Sequence, residues 1–99
     1  MRKIDELAKT AFIQKRRFKL RNTEVCILNG KPHLYLHSNL IAKLNDQDEL
    51  LIKHCGWETV TTKSRLNAFY GVNIRLFKGS FILNEQGYMK NEWYNINKL

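Results

Sequence analysis

Residues 23–36 read Thr23-Glu24-Val25-Cys26-Ile27-Leu28-Asn29-Gly30-Lys31-Pro32-His33-Leu34-Tyr35-Leu36. Two largely apolar runs flank Asn29-Gly30, a pair that tolerates positive φ at both central positions of a tight turn. Closing a two-residue loop there sets Val25 opposite Leu34, Ile27 opposite Pro32 and Thr23 opposite Leu36. The apolar set then falls on one face, and a one-residue slip would turn all of it to water. Pro32 donates no ladder hydrogen bond, so its strand lies at an edge or its nitrogen points outward. This is a β-hairpin with one buried face.

The same alternation continues toward the C-terminus. Leu40, Ala42 and Leu44 precede the polar loop Asn45-Asp46-Gln47-Asp48, and Leu50 and Ile52 follow it, which predicts a second hairpin over 40–54. Ile41 and Leu51 fall on its opposite face, so that face is expected to be covered or to pair with a second copy. Residues 62–70 read as a short helix with Thr61 or Thr62 as N-cap and Gly71 as the stop. Residues 73–84 form a third hairpin across Gly79, with Leu76 opposite Phe81 and Ile74 opposite Leu83. Residues 85–99 show no clear period.

Toward the N-terminus, Ile4, Leu7, Ala8, Ala11 and Phe12 recur at the spacing of an amphipathic helix over 3–17. Asp5 and Glu6 fall in its first turn and Lys15, Arg16 and Arg17 in its last, placements that suit the helix dipole. The expected architecture is α+β: one small domain over 1–99, with an N-terminal helix and a mainly antiparallel sheet of about six strands in three hairpins. A second short helix precedes the last hairpin. Residues 1–21 are the basic helix and its tail, 22–84 the sheet and second helix, and 85–99 a C-terminal tail.

Charge is the strongest functional signal. The 99 residues carry 17 Lys+Arg against 9 Asp+Glu, a formal +8. Eight of the cations lie in residues 1–21, opposed there only by Asp5 and Glu6. Residues 22–99 are nearly balanced. A basic segment of this kind attracts nucleic acid, acidic protein surfaces or anionic lipid, and a solvated face is the plainer alternative. No apolar run reaches the roughly 20 residues of a membrane span. The first residues lack the apolar stretch of a signal peptide, so an intracellular setting is expected.

Enzymatic chemistry has little support. Cys26, Cys55, His33, His37 and His54 show no metal-binding spacing; His33 and His37 would stand roughly 13 Å apart along a strand. Neither thiol sits at a helix start, no glycine-rich phosphate loop is present, and Asp46, Asp48 and Glu49 crowd a turn. The segment Thr59-Val60-Thr61-Thr62-Lys63-Ser64-Arg65-Leu66-Asn67 gathers hydroxyls and cations at a helix start, an arrangement suited to a phosphate or to plain capping. Phe18 lies among Lys15, Arg16, Arg17 and Lys19, and Tyr35, Trp57, Tyr70 and Trp93 are candidate stacking rings. Phe12, Phe18, Trp57 and Phe69 are equally candidates for the core.

Three segments carry a resemblance: Asn22-Thr23-x-Val25, Leu36-His37-x-Asn39-x-Ile41-Ala42, and Gly56-Trp57-x-Thr59-x-Thr61-Thr62-Lys63-x-Arg65-Leu66-Asn67. Across about residues 22–67 the chain resembles small proteins of tailed bacteriophages in which an LHGN-x-IA segment precedes an AGW-x-T-x-TT-[RK]-x-RLN segment. It departs from them at Ser38, where the pattern has glycine, and at Cys55, where it often has alanine. The resemblance implies a phage protein acting in the cytoplasm of a bacterial host and implies no activity. It makes Thr59, Thr61, Thr62, Arg65 and Asn67 the positions to watch.

The expected function is nucleic-acid binding, to DNA or RNA, through phosphate contacts. The expected contact residues are Lys15, Arg16, Arg17, Lys19, Arg21, Thr61, Thr62, Lys63, Arg65 and Asn67. The alternative is a non-enzymatic inhibitor or anti-defence protein that binds a host protein or nucleoprotein complex. No catalytic residue, metal or cofactor and no membrane partner is expected, and a homodimer is open.

Overall fold

A computed structural model describes residues 2–99. The order is α1 (Lys3–Ile13), β1 (Phe18–Leu20), β2 (Thr23–Leu28), β3 (Lys31–Leu36), β4 (Asn39–Leu44), β5 (Leu50–Ile52), α2 (Val60–Asn67), β6 (Ile74–Phe77), β7 (Ser80–Leu83) and β8 (Tyr94–Asn95), ending in a 3₁₀ turn at Ile96–Lys98. Strands β1-β2-β3-β4-β5-β8 form one antiparallel sheet of six, and β6-β7 form a separate two-stranded sheet. The architecture is α+β, as expected. The membership of the large sheet differs, because its two edges come from the segments read as tails.

The first hairpin takes the expected register, with Thr23↔Leu36, Val25↔Leu34 and Ile27↔Pro32 paired. Asn29 and Gly30 both have positive φ, as the two-residue turn requires. The third hairpin also keeps its register, with Ile74↔Leu83 and Leu76↔Phe81. The second hairpin forms too, with Ala42↔Ile52 and Leu44↔Leu50 paired. Ile41, however, lies in the core rather than on the opposite face. A β-bulge between β3 and β4 pairs Leu34 with Ala42 but Tyr35 with Leu40, which leaves Ile41 as the extra residue. Ile41 and Ala42 are therefore both buried although adjacent. The Ile41 carbonyl accepts from the Lys53 amide at 2.9 Å.

Helix α1 stops at Ile13, four residues short of its expected end. Lys15 adopts φ +54°. The Arg16 amide bonds the Ala11 carbonyl at 2.9 Å and the Lys15 amide bonds that of Phe12 at 3.2 Å, a Schellman closure with lysine in glycine's usual place. No glycine precedes Gly30, so the left-handed stop falls on a residue with a Cβ, at about 1–2 kcal/mol. Lys15, Arg16 and Arg17 thus follow the helix instead of completing its last turn.

Both helices and the β6-β7 hairpin lie on one face of the large sheet. Ala8, Ala11 and Phe12 of α1, Leu66 of α2, and Ile74, Phe81 and Leu83 join Val25, Leu34, Leu36, Ala42 and Ile52 in one core cluster. Phe12 and Phe69 meet edge to face at 5.0 Å. Phe18 packs at the core margin, whereas Trp57 is 58% exposed and no core residue. The molecule measures 36 × 30 × 20 Å, the thickness of one sheet and one covering layer. No helix among the described residues is long and apolar enough to cross a membrane.

Candidate nucleic-acid interface

The alternation that buries one face of the large sheet aims the other at solvent. Arg17, Lys19, Glu24, Cys26, His33, Tyr35, Leu40, Lys43, Leu51, Lys53, Trp93 and Asn95 belong to that second face, and none of them is fully buried. At the β8 edge the Lys43 ammonium lies 4.5 Å and the Lys53 ammonium 5.6 Å from the centre of the Trp93 ring. At the β1 edge Lys19 pairs with Glu24, which in turn faces Tyr35 across β3. The result is an open platform with an aromatic ring in its middle, another at one edge and cations at both.

The basic segment rims this platform. Lys15, Arg16, Arg17, Lys19 and Arg21 are all exposed. Among the described residues none of the five forms an ion pair. Among the described residues only Arg16 of the five is held by a side chain, through an Nε donation to Gln14 Oε1 at 2.8 Å. Arg21 sits in the β1–β2 turn with φ +55°. Lys43 and Lys53 escaped the sequence reading. They alternate with Ala42 and Ile52, so extending the buried-face pattern by one residue would have found them.

The second group of expected contact residues has a different fate. Thr59, not Thr61 or Thr62, is the N-cap of α2; its hydroxyl accepts from the Thr62 amide at 3.2 Å. Thr62 is buried, its hydroxyl 3.1 Å from that of Thr59. Arg65 is 4% exposed and pairs with the buried Asp5 of α1. Its Nε donates to Thr23 Oγ1 at 2.9 Å. The Ser64 hydroxyl and the Arg2 amide also donate to Asp5. Arg65 lies in the last turn of α2 and is an internal strut, so the expected solvent contact is corrected. Asn67 is likewise occupied, its amide bonding both the carbonyl (2.9 Å) and the N–H (2.7 Å) of Ile74. Of the five, Thr61 and Lys63 remain partly exposed and unpaired among the described residues.

A cleft of about 490 Å³ opens at the far end of the sheet. It is lined by Leu36, His37, Asn39 and Ile41 of the β3–β4 hairpin, by Trp57, Thr59, Thr61 and Thr62 around the start of α2, and by the buried His54. Except for His54, these residues come from the two longer sequence segments quoted above. His37 and Ser38 close the β3–β4 turn with φ of +49° and +65°. Two residues with Cβ atoms thus hold the conformation that Asn29-Gly30 adopts without strain.

The remaining chemistry-bearing groups do not converge. Among the described residues no three His, Cys, Asp or Glu side chains gather to hold a metal ion. Burial raises the Cys55 thiol above its ordinary pKa, and its Sγ–H donates to the Leu40 carbonyl at 3.0 Å. Burial, then a hydrogen bond to Glu24, raises that of Cys26. Thiols held this way are poor nucleophiles.

Residues 1–99 match the family model described as Kyanoviridae Gp96 protein. No curated protein and no solved structure matches the chain.

Proposed function

Because the chain belongs to the Kyanoviridae Gp96 protein family, a family of phage proteins, we propose that it is a phage accessory protein that binds nucleic acid in the cytoplasm of the bacterial host. One observation carries this reading: an uncovered sheet face that bears Tyr35, Trp93 with Lys43 and Lys53 beside its ring, and Arg17 and Lys19 at the β1 edge. Lys15, Arg16 and Arg21 extend the positive field along its rim. Phosphates would meet the cations and unstacked bases the rings, the division of labour of single-strand platforms. In this reading the protein is a binder and not an enzyme. Fluorescence anisotropy with labelled single- and double-stranded DNA and RNA at ~50 mM salt tests it, and affinity should fall steeply as salt rises. Absence of binding to all four probes rejects the reading.

A second reading is a non-enzymatic inhibitor of a host protein, for which Leu40 and Leu51 on the same open face would supply apolar contact. A stoichiometric protein partner that survives nuclease treatment of host lysate would favour it over the first.

A further inference from the structure

We propose that the cleft between the β3–β4 turn and the start of α2 is the seat of one unstacked nucleobase. This inference rests on the nucleic-acid reading and names a site that the open sheet face does not include. The cleft's volume, about 490 Å³, lies within the roughly 300–1,000 Å³ of small-molecule sites. Two buried apolar side chains, Leu36 and Ile41, line it. Its wall is the Trp57 indole, the largest side chain type in the protein and yet 58% exposed.

That exposure is built into the backbone. Cys55 and Gly56 both have positive φ (+57° and +81°), and the Trp57 amide closes their turn on the His54 carbonyl at 2.9 Å. The buried His54 ring pins the turn from below: Nδ1 accepts from the Gly56 amide at 2.9 Å, so the proton sits on Nε2 and is donated to the Met89 carbonyl at 3.1 Å. A backbone fixed in this way sets where the exposed indole leaves the chain, so the turn need not reorganise for the ring to stack.

The rim supplies both hydrogen-bonding senses, as the edge of a base requires. His37 Nε2 accepts from Asn22 Nδ2 at 3.2 Å, which leaves Nδ1–H as a donor. Asn39 spends its Nδ2 on the His37 carbonyl at 3.2 Å and keeps its carbonyl oxygen as an acceptor. The Thr61 hydroxyl has no partner among the described residues and serves either role. The His37-Ser38 turn places the first of these groups. No carboxylate lines the cleft, so nothing there repels a base's attached phosphate. The exposed Arg21 precedes Asn22 in the β1–β2 turn.

The test uses a Trp93→Phe variant, which keeps Trp57 as the sole indole. Its emission is titrated with adenosine and cytidine monophosphates and with a short single-stranded oligonucleotide. Saturable quenching is expected. Trp57→Ala, a change at an exposed position, should lower oligonucleotide affinity by about five- to a hundred-fold, the range for loss of one stacked base. If the oligonucleotide binds while Trp57 emission stays constant and Trp57→Ala binds as tightly as the parent, the cleft inference is overturned and the nucleic-acid reading stands. If mononucleotides quench Trp57 but the unsubstituted protein, followed by fluorescence anisotropy of the labelled oligonucleotide, does not bind it, the cleft stands as a nucleotide site and the wider reading falls. If neither ligand quenches Trp57 and the unsubstituted protein binds no oligonucleotide, both fall.

Discussion

Arg65 and the run Arg16-Arg17-Phe18-Lys19 look alike in one respect: each is a cation in a polar stretch with an aromatic or apolar neighbour. They differ in what the fold asks of them. Arg65 is enclosed, with Asp5 and Thr23 taking up its guanidinium. The cations at 16, 17 and 19 are exposed and form no ion pair among the described residues. A buried charge is tolerated only with its partners in place, whereas an exposed one contributes little to stability and retains its field for a ligand. The lesson is that charge in this chain separates into two kinds, one that joins α1, α2 and β2 and one that faces outward.

The sharpest way to break this division is Arg65→Met. The change leaves Asp5 buried without its cation and should destabilise the domain by about 3–5 kcal/mol. For a domain of this size that lowers Tm by more than about 12 °C. Thermal unfolding measures it, and a second variant sharpens it: Asp5→Leu together with Arg65→Met should lose less than Arg65→Met alone, because no orphaned charge remains. An equal or larger loss would show that the pair is not the unit described here. Asn67→Ala comes next. It strips both hydrogen-bonding groups from Ile74 and should remove about 1–3 kcal/mol, with Ile74 amide exchange accelerating before that of Val25.

The contrast also explains what could be read from residues alone. The hairpin registers were legible, because Asn29-Gly30 and the alternation of Val25, Leu34 and Leu36 act over short separations. The edge strands were not: β1 and β8 have three and two residues, too few for a period, and exist because β2 and β5 offer them a ladder. Asp5 showed only a helix-dipole placement, since its partner lies 60 positions away. The Ile41 bulge left no mark in an alternation it interrupts by one residue. At the candidate interface, the rim cations 15–21 were legible as a charge run. Lys43 and Lys53 were hidden in strands read only for their buried faces, and the cleft became visible only once the two longer segments were brought together in space.

Thr59→Ala probes the structural stretch at lower amplitude. Thr59, Thr61 and Thr62 have equal capping chemistry, but Thr59 is the one with extended backbone whose hydroxyl accepts from a helix amide. Its loss should destabilise by about 1 kcal/mol, and Thr61→Ala by clearly less. The reverse order in denaturant midpoints would return the cap to Thr61.

The smallest expected effect on stability belongs to Arg16→Gln/Arg17→Gln/Lys19→Gln, and it completes the comparison because its effect on binding should be large. No described ion pair is lost and the backbone bonds of the helix stop remain, so Tm should be unchanged. If the three side chains meet phosphates, each contributes about 0.7–0.9 to the slope of log affinity against log salt, and the triple variant should flatten that slope by about 2–3. Affinity would drop most at low salt and converge with the parent at high salt. A triple variant that unfolds would place these residues with Arg65; one that binds with an unaltered slope would move the phosphate contacts off the β1 edge, toward Lys43 and Lys53 beside Trp93.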